Sequence, residues 1–100
     1  MKFTFHPEAE EEFEASIAYY DGCDPGLGLD FAREVHSAIQ NALSYPSLWT
    51  EIEPDVRRCL THRFPFGVLY SIEHDGIFIL AVMHLHREPG YWKHRFPGIS

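Results

Sequence analysis

The chain has 100 residues, the usual length of one folded domain, and 45% of them are hydrophobic, which is enough for a packed core. Its formal net charge at pH 7 is −7, no apolar run approaches the roughly 20 residues of a membrane span, and its two cysteines lack CxxC spacing. These features exclude membrane-spanning and disulfide-stapled secreted classes, and we expect residues 1–100 to form a single cytoplasmic domain.

The charge is unevenly distributed along the chain. Residues 1–55 hold twelve of the fifteen acids and two of the eight cations, whereas residues 56–100 hold three acids and six cations. Such a polarised molecule can repel nucleic acid with one side and attract it with the other. Acidic helices that are simply solvated explain the same pattern, and charge alone does not separate the two interpretations.

The N-terminal part predicts a short strand followed by an amphipathic helix. Residues 2–5 alternate between polar and aromatic side chains, as an edge strand does. Pro7 and the glutamates after it suit the first turn of a helix, which should cover about residues 8–21. Its apolar stripe consists of Ala9, Phe13, Ile17 and Tyr20.

A second helix is predicted over residues 27–45. Asp24-Pro25 is a start signal with Asp24 as the cap, and the residue before Pro46 is pushed out of the helical region. Few residues separate the two helices, so they should form an antiparallel hairpin. The apolar face of the second helix is made by Phe31, Val35, Ile39, Ala42 and Leu43.

The second half of the chain predicts strands. After a loop over residues 46–55, β-prone runs cover residues 56–64, 67–73 and 77–85, and Asp75-Gly76 favours a hairpin between the last two. The order is β-α-α-β-β-β, an α+β fold with the helical hairpin packed on a small antiparallel sheet. Both faces of the last strand are apolar, so we expect the loop and the C-terminal tail, a partner protein or both to cover the face opposite the helices.

Cations and aromatic side chains gather after the last strand. They offer charge for phosphate and a ring for stacking, although Tyr91 and Trp92 could equally anchor the tail on the sheet. Arg63 lies earlier in the chain and could join them from a neighbouring strand. The candidate functional residues are Arg63, His86, Arg87, Tyr91, Lys93 and Arg95.

Metal chemistry has little support in the sequence. His84 and His86 share a strand face and, with His94, could form a three-histidine site. Neither a pair of acidic ligands nor a cysteine cluster accompanies them, so we interpret them as hydrogen-bonded histidines and expect no metal or cofactor.

Four blocks, which together cover almost the whole chain in order, resemble one known group of proteins. They are FHPEAEEEFEASIAYYD, PGLGLDFAREVHSAIQNALSYPSLW, VRRCLTHRFPFGVLYSIE and ILAVMHLHREPGYWKHR. The sequence resembles the RelE/ParE superfamily of type II toxin–antitoxin toxins, in particular its ParE-like, plasmid-stabilisation branch. The resemblance implies a small α+β toxin that forms a hetero-oligomer with a cognate antitoxin, which blocks its action.

The two branches of this superfamily imply different targets. RelE-like members cleave messenger RNA on the ribosome, whereas ParE-like members inhibit DNA gyrase. The ribonuclease branch usually has an arginine before the hydrophobic-hydrophobic-Tyr of the middle strand, and Gly67 stands there in this chain. We therefore expect a gyrase-directed toxin. A ribosome-dependent ribonuclease and a non-toxic protein-binding module are the alternatives, and whether the chain is an enzyme stays open.

Overall fold

The computed structural model describes residues 2–96. Its helices and strands follow in the order β1 (Lys2–Phe5), α1 (Pro7–Cys23), α2 (Leu27–Ser44), β2 (Thr50–Glu53), β3 (Val56–Leu60), β4 (Phe66–Glu73) and β5 (Gly76–His84), and a 3-10 turn covers Lys93–Arg95. The strands form one sheet in the order β1-β5-β4-β3-β2. No helix within residues 2–96 is long and apolar enough to cross a membrane.

The predicted α+β class and the helical hairpin are confirmed, with one additional strand. The loop predicted over residues 46–55 was wrong in part, because Thr50–Glu53 pairs antiparallel with β3. The turn between these two strands contains Asp55, whose φ of 66° is left-handed. The sequence TEIE of β2 has little apolar character because it forms an exposed edge, so hydrophobic patterning does not reveal it.

The sheet is mixed, so the predicted antiparallel pairing holds for β2 to β5 but not for β1. β1 pairs in parallel with β5, from Lys2 opposite Gly76 to Phe5 opposite Ile79. Gly76, predicted as a turn residue, is also where β1 approaches most closely, because a Cβ atom there would overlap the carbonyl of Lys2. Periodicity within a strand predicts which residues share a face, but it does not identify the neighbouring strand.

The helix boundaries agree with the predictions within a few residues, but the caps differ. His6 caps α1, because its Nδ1 accepts a hydrogen bond from the Glu8 N–H at 3.0 Å. Asp24 was predicted to cap α2, yet it terminates α1, where its N–H bonds the Tyr20 carbonyl. Gly26, with a φ of 90°, occupies the cap position of α2.

Two apolar cores lie on opposite faces of the sheet. The larger lies under the helices and includes an aromatic group in which the ring of Phe31 lies 5.2 Å from that of Phe64 and 4.8 Å from that of Phe66. The smaller contains Val56, Leu69, Leu80, Ala81, Met83 and Trp92. Trp92, which is 2% exposed, confirms the prediction that the tail folds back over the second face.

Replacing Trp92 with Ala should lower the free energy of unfolding by about 3–5 kcal/mol, because the change removes a buried indole and leaves a cavity. Urea unfolding followed by far-UV circular dichroism measures this change. Tyr19 on α1 is 67% exposed, and Tyr19→Ala is the matched control. The control should stay within about 0.5 kcal/mol of the wild type, and equal losses for both variants would contradict a structural role for the tail.

Candidate functional site

The site begins at an incompletely paired edge of β5. β1 ends at Phe5, opposite Ile79, so the later residues of β5 have no strand on that side in the part of the chain that the structure describes. β5 also bulges, since Leu69 and Tyr70 pair with Ala81 and Ile79 and leave Leu80 without a partner on β4. Buried backbone groups at such an edge need other hydrogen-bond partners.

Glu12 of α1 and Arg95 of the 3-10 turn supply those partners. The Val82 N–H donates to Glu12 Oε1 at 3.2 Å, and Arg95 Nη1 donates to the Leu80 carbonyl at 3.1 Å. Arg95 also binds Glu12 directly: its Nη1 donates to Oε1 at 2.9 Å and its Nη2 donates to Oε2 at 3.0 Å. The ion pair thus makes hydrogen bonds with the edge of β5 that a neighbouring strand would otherwise make.

Burial and pairing act in opposite directions on Arg95. The residue is 7% exposed, and its desolvation alone would lower the pKa of the guanidinium. Hydrogen bonds and charge from Glu12 outweigh desolvation, so the pKa of Arg95 is raised above its ordinary value. Arg95, one of the predicted site residues, therefore lies inside the structure and holds the tail to α1.

Glu8, one turn before Glu12, adds a more exposed contact to the same segment. Its Oε2 lies 2.9 Å from Nε2 of His94 and 3.7 Å from Nε of Arg95. The hydrogen bond from His94 is the main reason that the pKa of Glu8 is lowered. A carboxyl group with a depressed pKa stabilises the fold above its unfolded pKa and loses that contribution as the pH falls through the folded value.

Replacing His94 with Ala should raise the pKa of Glu8 towards that of an ordinary glutamate, because the hydrogen-bond donor and its charge are lost. Carboxyl chemical shifts followed by NMR between pH 2 and pH 7 would measure the change. His74→Ala is the control, since that side chain is fully exposed and lies 3.8 Å from Asp75. An unaltered Glu8 titration in His94→Ala would mean that the contact contributes nothing in solution.

A shallow pocket of about 360 Å³ lies beside the tail, and we call it the Arg58 pocket. Three cations line it from β3 and from the tail, together with apolar side chains from β5 and the tail. The lining residues are Arg58, Arg87, Lys93, Met83, Leu85, Trp92, Ile52, Glu53, Pro89 and Gly90. It lies on the sheet face opposite the helical hairpin, where Met83 and Trp92 belong to the smaller core.

Arg58 reaches this pocket because Gly67 leaves room for it. Arg58 pairs with Leu69 on β4, and its stem extends over the glycine, where a Cβ atom would lie 3.0 Å from both Cγ and Cδ of the arginine. Glycine inside a strand commonly marks such a close approach. The stem of Arg58, on the neighbouring strand, therefore lies over the position where the middle strand lacks an arginine, and Arg58 lines the pocket. Sequence analysis missed Arg58, and Gly67 was the signal that could have identified it.

Arg63 does not join the tail cations, so that expectation was wrong. β3 ends at Leu60, and residue 63 lies in a turn whose backbone is held by α2: the N–H groups of His62 and Arg63 both donate to Glu34 Oε1 at 2.8 Å. The Arg63 side chain lies 3.7 Å from Asp30 and 3.9 Å from Glu34. The strand predicted over residues 56–64 included Arg63, but β3 ends at Leu60 and the chain then turns towards the helices.

The ring of Tyr91 packs against Arg87, one of the cations that line the pocket. The guanidinium of Arg87 lies 3.9 Å from its ring centre and that of Arg95 lies 5.0 Å away, both within cation–π distance. Burial, followed by the neighbouring Glu12, raises the pKa of the Tyr91 hydroxyl. The ring therefore serves as a platform for Arg87.

Only two cations of the pocket lack an acidic partner. Lys93 forms an ion pair with Glu53, whereas neither Arg58 nor Arg87 has a carboxylate within 4.0 Å among residues 2–96. In a chain of net charge −7, two free guanidiniums at one depression form a local positive site.

The remaining candidate and the histidines lie outside the pocket. The His86 N–H donates to His84 Nδ1 at 3.1 Å, and the two rings are 5.2 Å apart. His94 is bound to Glu8 instead. Within the described residues, no group of three or more His, Cys, Asp or Glu side chains could hold a metal ion.

A family model for the ParE toxin of the type II toxin–antitoxin system parDE matches residues 3–89. The chain belongs to the ParE toxin family. The match confirms the ParE-like resemblance. It ends before Trp92 and before the two tail residues that bind α1, His94 and Arg95. By its family, this chain is a toxin of a type II toxin–antitoxin system.

A solved structure of the chromosomal ParDE toxin–antitoxin system from P. aeruginosa has the same fold. It superposes with a TM-score of 0.73 and 17% sequence identity, over 86% of this chain and 97% of that chain. No match to this chain was found among curated proteins.

Proposed function

We propose that this ParE-family toxin arrests growth by binding DNA gyrase and that a cognate antitoxin neutralises it in a hetero-oligomeric complex. The observation that supports a binding toxin is the composition of the Arg58 pocket, which joins free guanidiniums to apolar side chains. Such a surface can hold a protein target without any bond being made or broken. Since gyrase acts on chromosomal DNA, the toxin would work in the cytoplasm.

Ribonuclease chemistry needs a general base and a general acid within hydrogen-bond reach of the scissile phosphate. The described residues that line the pocket include neither a histidine nor a tyrosine, and their one carboxylate, Glu53, is paired with Lys93. Tyr91 is half-buried beneath Arg87 with a raised pKa, and Arg95 is neutralised by Glu12. The arrangement therefore favours binding over proton transfer.

One observation keeps the ribonuclease as a second candidate. The stem of Arg58 lies over Gly67, where the middle strand lacks a cation, and Arg58 lines the pocket, so the pocket has positive charge beside that position. A guanidinium so placed could stabilise the charge that develops on a phosphate during cleavage.

The antitoxin is proposed on two grounds. The P. aeruginosa relative is described as a ParDE toxin–antitoxin system, and this chain has the same fold. The Arg58 pocket leaves two charges unpaired, which an acidic partner could neutralise.

Purified toxin should inhibit supercoiling by purified gyrase, and Arg87→Ala should weaken this inhibition about tenfold or more, because a charged contact is lost. Arg33→Ala is the matched control, since Arg33 is an exposed cation on α2, under the opposite face of the sheet. Cleavage of ribosome-bound messenger RNA is assayed in parallel.

Each other outcome selects an alternative. Codon-positioned cleavage with intact supercoiling would replace the gyrase proposal by the ribonuclease. Intact supercoiling, intact messenger RNA and normal growth of cells that express the toxin alone would leave a non-toxic binding module.

A further inference from the structure

The Arg58 pocket has the features of a surface that a partner covers. Leu85 lines the pocket and is 39% exposed, and Leu60, which lies opposite Gly67 on β3 and outside the pocket lining, is 48% exposed. Exposed aliphatic side chains beside unpaired guanidiniums are unfavourable in water on both counts, since the leucines avoid water and the like charges repel. A ligand with one carboxylate and one apolar group would satisfy both.

We propose that the Arg58 pocket is the docking site of the antitoxin, and that it takes an acidic, aliphatic segment. A carboxylate of that segment lies between Arg58 and Arg87, and an adjacent aliphatic side chain packs on Met83 and Leu85. This inference rests on the antitoxin partner proposed above and does not depend on gyrase being the target.

The charges of the pocket favour one carboxylate. Arginine binds carboxylates with two parallel hydrogen bonds, and the apolar walls exclude water that would weaken them. Lys93 is already paired with Glu53, so the pocket offers two guanidiniums and carries an acid on its rim. That acid would repel the successive phosphates of a nucleic-acid strand but leaves room for a single acidic side chain.

The aromatic side chains argue in the same direction. Single-stranded nucleic acid binds through bases that stack on exposed rings. Trp92 is 2% exposed, and Arg87 covers the ring of Tyr91 at 3.9 Å, so neither ring is offered for stacking. The free surface is aliphatic, which suits leucine-like side chains of a peptide.

Gly67 makes room for the stem of Arg58. A side chain there would meet that stem at 3.0 Å and Leu60 Cδ2 at 3.5 Å, so it would shift Arg58 from its place at the pocket. Gly67→Val should therefore reduce antitoxin binding while the charge of the toxin stays the same.

The test measures how well toxin variants displace labelled wild-type toxin from the immobilised, full-length antitoxin encoded next to the toxin gene. Arg58→Ala and Arg87→Ala should each raise the apparent Kd about 30-fold or more, the loss expected when one partner of a desolvated charge pair is removed. Gly67→Val should raise it at least about tenfold, and Arg33→Ala should leave it unchanged.

A further variant tests the pocket without replacing Gly67. Leu85→Asp changes an exposed residue and places a negative charge in the pocket, so it should also lose about tenfold or more in binding. Circular dichroism and melting temperature establish that each variant is folded before its displacement curve is interpreted.

Wild-type affinity of folded Arg58→Ala and Leu85→Asp toxin for the antitoxin would overturn the proposal. So would Arg58-dependent binding of a 12-nucleotide single-stranded DNA or RNA, measured by fluorescence anisotropy, in place of Arg58-dependent antitoxin binding. Failure of the toxin to bind the antitoxin at all would refute the proposed partner itself, whereas failure to inhibit gyrase would leave this inference standing.

Discussion

The ion pair between Glu12 and Arg95 is the interaction on which the arrangement of the tail depends. β5 extends beyond β1, which ends opposite Ile79, and its bulge leaves Leu80 without a partner on β4, so the Leu80 carbonyl and the Val82 N–H bind side chains. The two side chains bind these groups and each other. Removing one member of a buried pair leaves the other charge uncompensated, which costs about 3–5 kcal/mol. Since native domains are stable by only about 5–15 kcal/mol, this one contact is a large share of the total.

The same contact links the fold to the pocket. Arg95 is held by α1 and lies 5.0 Å from the Tyr91 ring, and that ring supports Arg87 at 3.9 Å. Trp92, between them in sequence, fills the second core and fixes the tail against the sheet. An ion pair, a cation–π contact and an apolar anchor thus position the exposed guanidinium of Arg87. A flexible basic tail would have to be ordered on binding, and this one is ordered beforehand.

Local patterns predicted the parts of the structure that depend on local physics. The stripe from Ala9 to Tyr20 and the proline after Tyr45 predicted both helices, and the two apolar faces of the last strand predicted a tail that covers the sheet. These features follow from side-chain periodicity and backbone restriction, which act within a few residues.

The rest depends on contacts between distant residues. Glu12 and Arg95 are separated by 83 positions, so the sequence shows two charged residues and no sign that they meet. β2 forms only because β3 pairs with it, and Arg58 lies over the pocket only because Gly67 occurs on the adjacent strand. Arg63 was predicted to lie on a strand because the end of β3 could not be located from composition.

Hydrogen exchange of the Val82 amide in Glu12→Ala toxin is the most direct test of the central role of this ion pair. The variant removes both the acceptor of that amide and the partner of Arg95, so we expect its exchange to accelerate about a hundredfold, with the Tyr91 ring resonances moving to those of an exposed tyrosine. Glu14→Ala, an exposed change on the same helix, should alter neither. Unchanged Val82 protection and unchanged Tyr91 resonances in folded Glu12→Ala toxin would contradict the account.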